Sequence, residues 1–206
     1  MTSPRIQLLA SKIQPKGLVY DLCCDHGLIG TSALEAGCQV IFNDREPQII
    51  ASLERKLESL RKYRGRAWFW TGDAAQLHFK PNSQIVLAGV GNHLIAKVLK
   101  NINRKTNCRI ILGIQKRSIE LRQQLAAGNW LMESEHLVKE QGRFREVLVL
   151  SQSGVRIPPV GQFNDSPKLL KIEFYSELSK HLSVVQSVPP ETKNKVKQLL
   201  SNLAEA

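Results

Sequence analysis

The stretch Gly17 to Gly30, reading GLVYDLCCDHGLIG, constrains the fold more than any other part of the chain. Five β-prone residues, Leu18 to Leu22, run into a turn carrying Asp21, Asp25 and His26, and an apolar run that suits a helix begins at Leu28. Strand, tight turn and helix in that order form the nucleotide-binding corner of an open α/β sheet, with the ligand at the strand's carboxyl end. A dinucleotide would place its pyrophosphate on the backbone amides at the helix start, where the helix dipole favours negative charge. Two carboxylates in this turn oppose such a ligand. They suit one that carries an ammonium, a sulfonium and ribose hydroxyls, and S-adenosylmethionine is such a ligand.

The chain has 206 residues, enough for one domain with a sizeable core and a modest appendage. No apolar run reaches the roughly 18 to 20 residues of a membrane span, and the first residues lack the apolar core of a signal peptide. A cytoplasmic protein is expected. Cys23, Cys24, Cys38 and Cys108 show no C-x-x-C spacing, so reduced structural thiols and no metal site are expected. Net charge is +11, and only seven basic and five acidic residues lie from Ser151 onward, so most of the excess belongs to the first 150 residues. Nucleic acid is the commonest polyanion that such a charge serves; a generically basic surface is the alternative.

Along the chain, Ile6, Leu9, Ala10 and Ile13 share one face of a short helix, with Thr2 or Ser3 as cap and Pro4 at its first position. CQVIFND reads as a second strand ending at Asp44, 23 residues after Asp21. A carboxylate at that distance is where this architecture grips a ribose, and Asp is also an ordinary helix cap. Glu46 to Tyr63 reads as a helix with Ile49, Ile50, Leu53, Leu57 and Leu60 inward, ending in a basic cluster. AWFWTG is a third strand leading into Gly72-Asp73-Ala74, where Asp73 can accept from an adenine amine. Alternation along that strand assigns most of the Trp68, Phe69 and Trp70 trio to the core.

SQIVLAGVGN gives a fourth strand ending in Gly89-Val90-Gly91-Asn92, where two glycines signal close backbone approach or unusual φ angles. A helix from His93 follows, then a fifth strand, RIILGIQ, the pair Lys116-Arg117, a helix over Ile119 to Ala127, and two strands joined at Gln141-Gly142. The expected fold is therefore α/β, a Rossmann-like seven-stranded methyltransferase sheet. A Pro- and Gly-rich segment then leads to two amphipathic helices, Leu169 to Val185 and Glu191 to Leu203. The expected division is a cofactor-binding domain over residues 1–152, then a linker and helical extension over 153–206.

These residues resemble the bacterial tRNA (adenine-22-N1)-methyltransferase family. Its D-x-G-S-D-H-A loop is matched by Asp21-Leu22-Cys23-Cys24-Asp25-His26-Gly27, its G-M-G-G segment by Gly89-Val90-Gly91-Asn92, and its helical extension by the C-terminal stretch. Three departures stand out. Cys23 replaces the loop glycine, Asn92 replaces the last glycine, and Gln115-Lys116-Arg117 stands where the family reads Q-P-N.

The resemblance implies methyl transfer from S-adenosylmethionine to N1 of an adenine in tRNA. Another RNA or small-molecule substrate, or a silent paralogue that binds cofactor or RNA, are the alternatives. Cofactor contacts are expected from Asp21, Cys23, Asp25, His26 and Gly27 at the methionine end, Asp44 and Arg45 at the ribose, and Gly72, Asp73 and Ala74 at the adenine. Gly89, Val90, Gly91 and Asn92 should line the floor between cofactor and target base. Arg5, Lys97, Lys116 and Arg117 are the candidate RNA contacts, and a monomer or weak dimer is expected. No residue stands out as an obligatory general base, in keeping with a ring nitrogen whose lone pair needs no deprotonation.

Overall fold

In the computed structural model, which describes residues 3–115, 118–185 and 187–205, helix α1 (Pro4–Ser11) opens the chain. The Ser3 hydroxyl accepts from the Ile6 N–H at 3.4 Å and Pro4 takes the first turn, as the sequence chemistry dictates. There follow β1 (Leu18–Leu22), α2 (Leu28–Glu35), β2 (Gln39–Asp44), α3 (Pro47–Glu58), β3 (Ala67–Thr71), β4 (Gln84–Ala88), α4 (Asn92–Lys100), β5 (Arg109–Ile114) and α5 (Ser118–Ala127). A hairpin of β6 (Leu131–Glu140) and β7 (Arg143–Ser151), a short β8 (Val155–Arg156), and helices α6 (Lys168–Val184) and α7 (Pro190–Glu205) complete the chain.

The strands form one sheet in the order β3-β2-β1-β4-β5-β7-β6-β8. The first five strands are parallel, and β7, β6 and β8 pair antiparallel. Alternation along the buried strands feeds two layers. Tyr20, Ile85, Leu87, Ile110 and Leu112 face α4 and α5, whereas Val19, Val40, Phe42, Val86 and Ile111 face α1, α2 and α3. The hairpin turn is set by left-handed Gln141 (φ 49°) and Gly142 (φ 72°), the pair of positive φ angles that suits the twist of its strands.

Several expectations change. The sheet has eight strands where seven were expected, because Gly154, in a conformation that a side chain would drive into the Met132 carbonyl, returns the chain so that Val155 and Arg156 pair with Met132 and Leu131. Helix α3 ends at Glu58, short of Tyr63, and Arg61 turns the chain at φ 36°, which leaves Leu60 exposed. The aromatic trio is not mainly core. β3 is an edge strand with β2 as its one neighbour, so Trp68 is 43% exposed while Phe69 and Trp70 are half-buried.

The Pro- and Gly-rich segment is packed down, with Ile157, Val160 and Phe163 buried. Beneath it Arg122, fully buried, donates from Nη2 to Glu135 Oε2 and Glu146 Oε2, each at 2.7 Å, and Glu135 Oε1 accepts from the Gln162 N–H at 2.6 Å. A third apolar cluster of Leu137, Phe163, Phe174, Tyr175, Leu182 and Val196 seats α6 and α7 on β6. Among the described residues no helix is long and apolar enough to cross a membrane, and no cluster of three His, Cys, Asp or Glu could hold a metal.

Candidate active site at the carboxyl ends of the strands

Asp21 leaves the end of β1 buried, and its Oδ2 accepts from the Gly30 N–H in the first turn of α2 at 2.8 Å. The position where a helix dipole would draw a phosphate is thus filled by the chain's own carboxylate. Gly30 has to be glycine, since a Cβ there would lie 2.8 Å from Asp21 Oδ2 and against the Phe42 ring. The loop between coils through three left-handed residues, Cys23 (φ 53°), Asp25 (φ 47°) and Gly27 (φ 65°). Cys23 therefore holds a backbone conformation that glycine adopts freely and a side chain disfavours, which is why its replacement of the expected glycine carries strain. Burial first, and the charge of Asp44 last, push the Asp21 carboxyl up to about 7 against the lowering effect of the Gly30 bond.

Asp44, at the tip of β2 and 8% exposed, ties the loop to the sheet. Its Oδ2 accepts from the Asp25 N–H at 3.3 Å and its Oδ1 from the Glu46 N–H at 3.1 Å, so it pins the loop and closes the turn into α3 but does not cap that helix, whose N-cap position is Glu46. Arg45 beside it is exposed and pairs with Glu46 at 3.1 Å. Asp73 Oδ1 accepts from the Ala75 N–H at 3.0 Å, capping the single turn Ala74–Gln76, and its Oδ2 receives Lys97 Nζ at 2.6 Å. The Lys97 bond holds the Asp73 carboxyl below its ordinary range. The structure thereby joins two residues expected apart, an adenine contact and an RNA contact.

Of the two glycines after β4, Gly89 takes φ 80° whereas Gly91, the cap of α4, sits at an ordinary φ of −76°. A Cβ on Gly89 would lie 3.4 Å from Gln115 Nε2 and 3.8 Å from Arg5 Nη1. Arg5 is accordingly turned inward at the Gly89 rim, its Nε donating to Glu140 Oε2 at 3.1 Å. From Val90, Gly91, Asn92 and His93 a cavity of about 1120 Å³ runs between α4 and α5 as far as Trp130. Asp25 and His26 lie elsewhere, both well exposed, on a 250 Å³ hollow beside α3. Lys116 and Arg117 fall outside the described residues.

Sequence reasoning passed over Asn43 and Gln115. Fully buried Asn43 donates Nδ2 to the carbonyls of Trp70 (3.3 Å) and Gly72 (2.9 Å), which positions the turn bearing Asp73. Its signal was an amide beside Asp44 in an otherwise apolar strand. The sequence marks Gln115 as a strand terminus; in the fold its side-chain amide faces Gly89, and Arg145 Nη1 donates to its backbone carbonyl at 2.9 Å. The Cys23 thiol is pushed up to about 11, by burial first and then by Asp44 and Asp21, and Cys24 higher still. Neither is a nucleophile at neutral pH.

A family model described as a methyltransferase domain matches residues 2–148. The chain belongs to the methyltransferase-domain family. Its strand-end carboxylates and Gly89 turn thus lie in the part that this methyltransferase shares with the family at large. A protein of Mycoplasma pneumoniae named as a candidate tRNA methyltransferase is 26% identical over 198 residues, covering 87% of this chain and 89% of its own. The M. capricolum TrmK structure, in complex with S-adenosyl-homocysteine, superposes at TM-score 0.71 with 13% identity, covering 100% of this chain and 97% of its own. The m1A22 tRNA methyltransferase TrmK of B. subtilis superposes at TM-score 0.68 with 19% identity, covering 100% and 95%. The structural likenesses span the whole chain, the segment holding α6 and α7 included.

Proposed function

We propose that this methyltransferase transfers a methyl group from S-adenosylmethionine to N1 of an adenine in tRNA, at position 22. One observation carries the reading. The general methyltransferase domain stops at residue 148, whereas likeness to tRNA methyltransferases spans the whole chain and includes the helical pair after it.

The residues fit the cofactor. Asp44 sits at the tip of β2 with one backbone N–H on each oxygen, and a carboxylate with further lone pairs can still accept both ribose hydroxyls. Asp73, with Gly72 and Ala74 about it, would accept the adenine amine, and Lys97 holds it ionised for that purpose. Asp21, with Cys23 and Gly27 in the coiled loop and Gly89 opposite, would face the methionine end, whereas Asp25 and His26, on the hollow beside α3, stand away from it. When bound, the cofactor supplies a methyl group activated by its sulfonium.

The chain's own work is then positional. Adenine N1 carries an in-plane lone pair, so no base need remove a proton before attack, and alignment of the two reactants accounts for much of the acceleration. Val90, Gly91 and Asn92 form the opening through which an unstacked base would enter, and the smallness of Gly89 and Gly91 leaves it room. Glu140 orients Arg5 beside Gly89.

Incubation with labelled S-adenosylmethionine and unmodified tRNA, followed by mapping of the modified base, tests the reading. N1-methyladenine at position 22 is expected. Label at another base or on no tRNA refutes it.

A further inference from the structure

Trp68 stands out as a large aromatic side chain left 43% exposed, on the edge strand β3. It lines a hollow of about 620 Å³ with Leu57, Phe69, Arg61 and Arg64. The volume lies in the range of small-ligand pockets, with an apolar floor and charged walls. Its charged lining is Glu54, Glu58, Arg61 and Arg64, while Arg55, Lys56, Lys62 and Arg66 lie on the same stretch 54–66 outside the lining, giving that stretch six basic and two acidic residues.

Two of those cations have structural duties. Arg66 donates to the carbonyls of Leu34 and Lys62, and Lys62 lies 3.7 Å from Glu35. The side chains of Arg55, Lys56, Arg61 and Arg64 are exposed and form no ion pair among the described residues. Arg61 adopts φ 36°, a conformation costly for a side chain, in the turn that follows α3 beside the hollow.

We infer that this face is an RNA-docking surface, on which an unpaired base of the tRNA stacks against Trp68 while its flanking phosphates meet Arg61 and Arg64. Aromatic platforms interleaved with unpaired cations are the physical signature of single-stranded nucleic-acid binding, because every base has a face to stack and every linkage a charge to neutralise. The two carboxylates, Glu54 and Glu58, leave the stretch at +4. Trp68 lies three residues, roughly 10 Å of strand, before Thr71, so the surface shares the sheet edge that ends at Asp73. A folded RNA presenting a base near Asn92 is large enough to reach it. The chief competing occupant of an open sheet edge is a second copy of this chain. A two-fold pairing through β3 would be antiparallel and bring the Arg61 and Arg64 end of one copy beside the Thr71 end of the other, and sedimentation separates that occupant from RNA.

The inference rests on the proposed tRNA substrate, and the test separates the two. Binding of an unmodified tRNA transcript is followed by fluorescence anisotropy between about 50 and 200 mM salt, with S-adenosylmethionine affinity and sedimentation measured on the same proteins. Trp68→Ala should weaken RNA binding about 10-fold, and Trp68→Phe should restore most of it. The pair Arg61→Ala and Arg64→Ala should lower the slope of log affinity against log salt by about 1.5. Cofactor affinity should be unchanged throughout, since none of the three residues lies at the strand ends.

Variants that bind tRNA with wild-type affinity and slope, while the wild type methylates it, overturn the surface and leave the function standing. Trp68→Ala that shifts sedimentation but not RNA affinity overturns it in favour of self-association. A wild type that binds tRNA through this face without methylating it upholds the surface and refutes the function, and a wild type that binds no RNA refutes both.

Discussion

Replacing Asp21 by Asn should flatten the pH dependence of folding stability. Asp21 is buried, and its carboxyl is raised to about 7 from an ordinary value near 3.8. A raised acid favours the folded state most when protonated in both states, below about pH 4. That contribution is lost as pH climbs through the interval up to the folded value. At about 1.36 kcal/mol per unit, the interval from pH 5 to pH 8 spans roughly two effective units, so this group removes about 3 kcal/mol of unfolding free energy across it. For a chain of this size that corresponds to roughly 6–12 °C in melting temperature.

Asn keeps an oxygen for the Gly30 N–H. The cost of its unpartnered amide, about 1–3 kcal/mol, does not depend on pH and shifts the curve without tilting it. Urea unfolding of both proteins at pH 5 and pH 8, followed by circular dichroism, isolates the term, because all other titrating groups cancel in the difference. Asp21→Asn should gain about 3 kcal/mol relative to wild type between the two pH values. Parallel stability–pH curves would refute the reasoning, showing that Asp21 titrates in the folded protein as it does in the unfolded chain.

Three further perturbations have defined outcomes. Asp44→Ala should weaken S-adenosylmethionine binding at least about 100-fold by calorimetry, since two ribose hydrogen bonds to a charged acceptor are worth roughly 1.5–3 kcal/mol each; unchanged affinity sinks the ribose assignment. Gly30→Ala places a methyl against Phe42 and Asp21 Oδ2, and should cost about 1–3 kcal/mol of stability, read as a lower urea midpoint at unchanged slope. Glu135→Gln leaves Arg122 facing Glu146 without its second carboxylate and disturbs the acceptor for the Gln162 and Phe163 N–H groups. It should cost about 3 kcal/mol, and limited proteolysis should then cut the segment 156–167 first.

How much of this was legible in the chain depends on whether the deciding interaction is local. Asp21, Asp44, Asp73 and Gly89 could be placed because each follows a β-prone run, and a parallel sheet puts the ends of its strands on one side. The exposure of Trp68 could not be read, since alternation tells which faces a residue serves but not whether its strand is central or at an edge. β8 escaped because two residues carry no period. Arg5 and Lys97 looked like free surface cations, yet each is held by an acid distant in sequence, Glu140 and Asp73. A long side chain finds its partner through the fold, and no spacing rule announces it.

On the proposed cofactor site, the turn after β1 bears on which nucleotide this corner would take. Two carboxylates in a turn would merely repel a pyrophosphate, and repulsion between exposed charges is weakened by salt. Asp21 does more, for it occupies the Gly30 N–H itself, so a phosphate would have to displace a buried, 2.8 Å hydrogen bond as well as overcome charge. A cation meets the opposite situation. Its approach favours the ionised carboxylate and draws the Asp21 titration back toward acid, so cofactor binding near pH 6 should release a proton that binding near pH 8 does not. Calorimetry in two buffers of different ionisation enthalpy counts that proton directly. If the same number is released at both pH values, the buried carboxylate is not the element that selects a cationic ligand.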